Sequence, residues 1–203
     1  MNSYTNDNLL DHVKRTIDLS LQAKQEFWRT HADAVCKAAQ WMGETVRNDG
    51  KILIFGNGGS AADAQHMAAE MVGRMLVERK KPLAAVALTT DTSALTAIGN
   101  DYSFEDVFGL QLRALGRRGD LAIAISTSGN SKNVVRAVEA ARGLGMRVVS
   151  LTGGAGGKLK ELSDLSLNVA LGKNSSMIQE THITVVHLLV DLMDRYCLTG
   201  EYV

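Results

Sequence analysis

The feature that most restricts what this chain can fold into is a cycle. A short apolar run rich in β-formers is followed at once by a Gly/Ser/Thr loop, and then by a segment with helical spacing. KILIF (51–55) leads into GNGGS and the helix-forming stretch AADAQHMAAEMVGRML. AAVAL (84–88) leads into a Thr/Asp/Ser loop, LAIAI (121–125) into STSGNS and a helix from near Lys132, and RVVSL (147–151) into TGGAGG and a helix around Lys158 to Leu162. SLNVA (166–170) reads as a last strand before a long helix from about Met177 to Cys197. Apolar runs this short, without alternation, mark strands buried on both faces. Strands alternating with helices predict right-handed βαβ units. The expected fold is a three-layer α-β-α sandwich around a central parallel sheet of about five strands.

Residues 1–48 precede the first strand, and apolar positions recur there at helical spacing. Leu10, Val13, Ile17 and Leu21 form one group; Val35, Ala38, Ala39, Met42 and Val46 form another. Thr30 or Asp33 could start a second helix, so two amphipathic helices are expected, followed by a turn at Asn48-Asp49-Gly50. Their stripes exceed what one small sheet can cover, which predicts self-association. With 203 residues, one domain spanning 1–203 is expected, the segment 1–48 being a helical extension used in oligomerisation.

Lys plus Arg and Asp plus Glu number 22 each, so the basic surplus that nucleic-acid binding leaves in a composition is missing. The polar start MNSYTNDNLLDH has neither a basic nor an apolar stretch of the export type, and ITVVHLLVDLM is short and broken by His187 and Asp191. A cytoplasmic protein without a membrane span is expected. Cys36 and Cys197 belong to no metal-knuckle spacing and read as reduced core thiols.

In an open α/β sheet, ligands bind beyond the carboxyl ends of the strands. Ser126, Thr127, Ser128 and Ser131 set four hydroxyls at a helix start, where free N–H groups favour an anion such as phosphate. A plain N-cap by Ser131 is the simpler alternative, but a cap needs only one hydroxyl. The first loop, Asn57, Gly58, Gly59 and Ser60, lacks a full GxGxxG and a Walker lysine, which leaves a tight turn or a holder of sugar hydroxyls. His66 and Glu70 are four apart on one helix and share a face; taken alone, they read as an exposed polar pair. Glu70 is expected close to the Gly-rich loop, its carboxylate turned to the sheet edge. His187, inside VVHLLV, reads in isolation as a core histidine.

The strings GNGGSAADAQHMAAEMVGR, LTTDTSALTAIGNDYSFEDVF, ISTSGNSKNVV and IQETHITVVH together resemble, in order and spacing, the motifs of the bacterial phosphoheptose isomerases of the SIS-domain family. The resemblance covers essentially the whole chain. It implies a flavodoxin-like core, a homotetramer with active sites at subunit interfaces, and an aldose-ketose isomerase. That enzyme would convert sedoheptulose 7-phosphate to D-glycero-D-manno-heptose 7-phosphate through an enediol, supplying heptose for lipopolysaccharide or another surface glycan. By the same resemblance Glu70 is the base, His187 the acid, and His66, Glu70, Gln179 and His187 are ligands of a zinc ion. Asn57 to Ser60, Glu70, Asn100, Asp101, Ser126 to Ser128, Ser131 and Gln179 are implied substrate contacts. Residues eight apart on a straight helix are separated by about 12 Å along its axis. Gln179 and His187 of one chain therefore reach one ion only if Gln179 precedes the regular helix; otherwise they come from different subunits. Two other readings stand beside this one. A non-catalytic SIS protein that associates with the replication initiator would have no need of both Glu70 and His187, and an isomerase of another sugar phosphate would share every motif.

Overall fold

The computed structural model describes residues 6–76, 78, 79 and 81–199. The opening stretch 1–5, part of the segment read for an export signal, lies outside the described residues. Five strands form one parallel sheet in the order β2-β1-β3-β4-β5: β1 Ile52–Gly56, β2 Ala85–Ala87, β3 Leu121–Ser126, β4 Arg147–Gly153 and β5 Leu165–Val169. Every pairing is parallel, with Gly56 of β1 opposite Ile125 of β3 and Ser126 opposite Thr152 of β4. The helices are α1 Asn6–Arg47, α2 Gly59–Val72, α3 Thr92–Asp101, α4 Val107–Leu115, α5 Lys132–Gly143, α6 Gly157–Leu162 and α7 Ser175–Thr199.

Successive strand residues feed opposite faces. Ile52, Ile54, Ile123, Val149 and Leu167 meet α1, α2 and α7, whereas Leu53, Phe55, Ala122, Ala124 and Val148 meet α4 and α5. That explains the unalternating apolar runs, since both faces are covered. Chain order and sheet order part company at β1, which has β2 on one side and β3 on the other. A crevice opens at such a switch point, beyond the carboxyl ends of β1 and β3. The loops that leave those two strands are GNGGS and STSGNS.

The expected pair of N-terminal helices is corrected to one helix, α1, of 42 residues. Thr30 does not cap a new helix; its hydroxyl donates back to the carbonyls of Glu26 and Phe27, at 2.8 and 3.2 Å, within the continuing helix. Neither Gly nor Pro interrupts residues 6–42, and Arg29 pairs with Glu26 across one turn. The C-terminal half of α1 buries Phe27, Val35, Ala38, Ala39 and Met42, mainly against α7 and β5. Its N-terminal half leaves Leu9, Leu10, Val13, Ile17 and Leu21 between 46% and 53% exposed. The reading of both cysteines as core thiols is also corrected. Cys36 is exposed, being on the side of α1 turned away from Val35 and Ala39, and Cys197 is half-buried, its thiol pKa raised by that burial and by Asp194. No helix among the described residues is long and apolar enough to cross a membrane.

Candidate active site

The phosphate-type loop is built as its sequence suggests. Ser126 ends β3 and is buried; its hydroxyl lies 3.0 Å from that of Ser131 and 3.5 Å from that of Ser128. Ser131 occupies the N-cap position of α5 but its side chain makes no capping bond, so the simple cap is not what the hydroxyl does. Three hydroxyls therefore converge in front of the first turn of a 12-residue helix, where backbone N–H groups lack intrahelical partners. Thr127 turns away, 3.5 Å from the hydroxyl of Ser175 at the start of α7. The loop is braced from behind by a second glycine loop. Gly129 has φ +64, and a Cβ there would lie 1.9 Å from the carbonyl oxygen of Gly156. Lys158 N–H donates to Asn130 Oδ1 at 3.0 Å, and Leu159 N–H to the Gly129 carbonyl at 3.1 Å.

The first loop is joined to the second through Asn57. Its amide exchanges two hydrogen bonds with Asn133 on α5, 2.8 Å from Asn57 Nδ2 to Asn133 Oδ1 and 2.9 Å in return. Asn133 is buried and escaped the sequence reading. The available signal was a polar residue in line with Ala137 and Ala141, both on the inward face of α5. Asn57 thus holds the two loops in register across the switch point. Gly58, at φ +57 and ψ −122, turns the chain into α2, and Ser60 is buried behind it. Gly59 makes room for Gln179, whose amide nitrogen lies 2.5 Å from where a Cβ would stand. Gln179 is inside α7, so the alternative in which it precedes the regular helix is excluded. Asn100 and Asp101 end α3, exposed and bonded to each other at 2.8 Å. No hydrogen bond among the described residues joins them to the serine loop.

His187 is not the core histidine of its run; it is exposed, while Val185, Val186, Leu189 and Val190 are buried. The core histidine is His182, five residues earlier. From α7, His187 reaches across to α2, where its Nε2 stands 2.9 Å from Nε2 of His66, the rings edge to face at 75°. One of the two nitrogens carries a hydrogen and the other accepts it. Glu70 Oε1 lies 3.6 Å from the same His66 nitrogen. Asp63, one turn before His66, is buried with Oδ2 unpartnered; burial pushes its carboxyl up to about 6, against the pull of His66. Sequence reading passed over this acid in an otherwise alanine-rich helix face.

The position expected for Glu70 is corrected. It stands eleven residues beyond Gly59, about 16 Å down α2 from the sheet edge, because α2 runs back antiparallel to β1. His66, Glu70 and His187 therefore gather on the outer surface between α2 and α7, away from the serine loop of the same chain. Among the described residues no three His, Cys, Asp or Glu side chains close into a ready metal cage. What the chain offers is two imidazole nitrogens facing one another with a carboxylate beside them, donor types that zinc takes. A separate cavity of about 520 Å³ lies at the opposite sheet edge among Glu44, Lys51, Arg117, Arg118 and Arg147. It holds none of these residues. Its basic side chains line the ends of α1, α4 and α5 that carry partial negative charge.

The parallel 2-1-3-4-5 sheet, the hydroxyl loop at its switch point and the paired imidazoles and carboxylate define a sugar-phosphate-handling α/β protein, and residues 18–153 match the SIS domain. A phosphoheptose isomerase of Neisseria meningitidis serogroup A is 54% identical over 184 residues, covering 89% of this chain and 92% of that protein. The structure of the phosphoheptose isomerase from Neisseria gonorrhoeae superposes with a TM-score of 0.86 at 51% identity, over 92% of this chain and 98% of that one. One from Francisella tularensis gives 0.87 at 39% identity with the same coverage. The chain belongs to the phosphoheptose isomerases of the SIS-domain family.

Proposed function

We propose that this chain interconverts sedoheptulose 7-phosphate and D-glycero-D-manno-heptose 7-phosphate. The observation that carries the reading is 54% identity to a phosphoheptose isomerase across 89% of the chain. The phosphate is held by the hydroxyls of Ser126, Ser128 and Ser131 at the start of α5. Glu70 takes the proton from C1 of the ketose, leaving an enediol whose C1 and C2 oxygens need charge stabilisation, and the same proton store returns a hydrogen to C2. His187, held by its contact with His66, exchanges the hydroxyl proton as the carbonyl passes from C2 to C1.

The working unit in this reading is a homo-oligomer, a tetramer by family resemblance. Two observations support it. The exposed stripe from Leu10 to Leu21 has the spacing of a helix seam, and Glu70 stands about 16 Å down α2 from Gly59, at the sheet edge that also carries the serine loop of its own chain. Gln179 and Asn100 with Asp101 then complete the site of a neighbouring copy. His66, Glu70 and His187 supply zinc-type donors, with Gln179 of another subunit as the fourth. Zinc bound there would polarise substrate oxygens. A charged phosphorylated sugar does not diffuse through lipid, which supports a cytoplasmic location for an enzyme that acts on it.

Incubation with sedoheptulose 7-phosphate in heavy water, followed by NMR, tests the reading. The expected result is an aldoheptose 7-phosphate with deuterium at C2 in at least part of the product. Glu70→Gln should lower turnover by roughly two orders of magnitude or more with the fold retained. Near-normal turnover in that variant would remove Glu70 from the base role.

A further inference from the structure

The two helices that carry the reactive side chains are joined by a buried ion pair that belongs neither to the catalytic group nor to the phosphate loop. Arg79 lies between α2 and β2, with its side chain 6% exposed, and Asp194 lies on α7, 1% exposed. Arg79 Nε donates to Asp194 Oδ1 at 2.6 Å and Nη2 to Oδ2 at 2.8 Å, a two-pronged contact that fixes orientation as well as distance. The remaining nitrogen, Nη1, donates to the carbonyls of Glu70 and Met71, both at 2.8 Å, and of Gly73 at 3.0 Å. The last turn of a helix leaves such carbonyls without partners. One guanidinium therefore engages three carbonyls at the end of α2 and fastens that end to α7.

The position of this clamp matters. One of its three carbonyl acceptors belongs to Glu70 itself. Asp194 follows His187 by seven residues, two turns along the same face of α7. A buried ion pair is not in itself a strong source of stability, since apolar side chains of similar size often do as well, but it does define geometry. Lysine could keep the charge at position 79 but not the fork and the carbonyl contacts together.

We propose that Arg79 and Asp194 are positioning residues for isomerisation. They set the distance and rotation of α2 against α7, and with them the approach of His66 to His187 and the placement of the Glu70 carboxylate. This inference rests on the roles proposed above for those three side chains.

The test compares Arg79→Gln, Arg79→Lys and Asp194→Asn with Asp120→Asn. The last breaks the other buried pair, Lys51–Asp120, whose side chains are 22% and 4% exposed at the opposite sheet edge. On folded, assembled protein, Arg79→Gln and Asp194→Asn should lower kcat by about 10- to 100-fold while KM changes little, because the serine loop is untouched. Arg79→Lys should fall between these and the wild type, and it preserves the test if the neutral variants do not fold. Asp120→Asn should lose thermal stability and keep its kcat. Two-bond 1H–15N spectra of the His66 and His187 rings give a reading independent of turnover: both should change in the Arg79 and Asp194 variants and not in Asp120→Asn. Wild-type kcat and ring spectra in folded Arg79→Gln, or equal loss of kcat in Asp120→Asn, would overturn the proposal. If the wild type itself does not turn over the sugar phosphate, the functional reading fails and the ring spectra alone decide whether the clamp positions the histidines.

Discussion

Acid should destabilise this protein through a histidine that takes no part in its chemistry. His182 on α7 is wholly buried, with Nε2 3.0 Å from the carbonyl oxygen of Thr152 and Nδ1 enclosed without a partner. The Nε2 hydrogen serves the carbonyl, so a second proton must go to Nδ1 and put a cation in the core. Burial draws the pKa down from 6.5 to about 4, with the Thr152 contact opposing. Unfolded chains take up this proton near 6.5 and the native protein only near 4. Between those values the unfolded state holds more protons, so stability rises with pH across that window and is lost as pH falls through it. A separation of about 2.5 pH units, at about 1.4 kcal/mol each, comes to about 3 kcal/mol. His182→Gln keeps an N–H for Thr152 and cannot titrate. Denaturant unfolding of both proteins at pH 7, 5.5 and 4 should therefore show the wild type losing about 3 kcal/mol more than the variant. Parallel stability curves would refute the reasoning.

Three further perturbations address the site and its assembly. Ser126→Ala with Ser128→Ala should raise KM for the phosphorylated sugar by about 10-fold or more, the worth of hydrogen bonds to a charged group, as initial-rate measurements would show. Gly129→Ala forces a Cβ against the Gly156 carbonyl at positive φ, so it should lower stability by more than about 1 kcal/mol in thermal unfolding and weaken phosphate binding in calorimetry. Leu10→Lys with Ile17→Lys should reduce the mass seen by light scattering below that of the wild type, because charge is placed on the exposed seam of α1.

What could be read from sequence followed physical type. Strands covered on both faces write themselves as apolar runs, and KILIF, LAIAI and RVVSL each match an observed strand to within two residues. The hydroxyl loop was legible because Ser126, Ser128 and Ser131 are local to one another and their chemistry does not depend on distant partners. Thr30 misled because a hydroxyl can cap a helix or bond back into it, and only the continuity of α1 decides which. The structural bond of Asn57 was not legible because its partner, Asn133, lies 76 residues away. Arg79 and Asp194 are 115 residues apart and sit in no motif, so nothing local announces them. Glu70 was assigned to the right helix and the wrong level of it: helical spacing shows which residues share a face, but not how far down the sheet that face has travelled.

That level bears on why an isomerase of this design should be inactive as a single chain. An enediol is stabilised by fixed dipoles in a site closed to water. In one chain His66 and His187 are exposed, and Glu70 lies well down α2 from the end where the serine loop lies. Among the described residues, His66 and His187 have no cover on their outer side. In the proposed oligomer a second copy would supply the missing wall, with a serine loop and a Gln179 of its own. The stripe on α1 supplies an apolar reason for such copies to meet, while α1 itself is fastened to α7 through Ser20 and Lys24 with Glu180. Association through α1 would thus act on the helix that bears Gln179 and His187. Activity should then fall with the oligomer on dilution, more steeply than the helical content measured by circular dichroism, and an active monomer with its fold intact would separate the chemistry from the assembly.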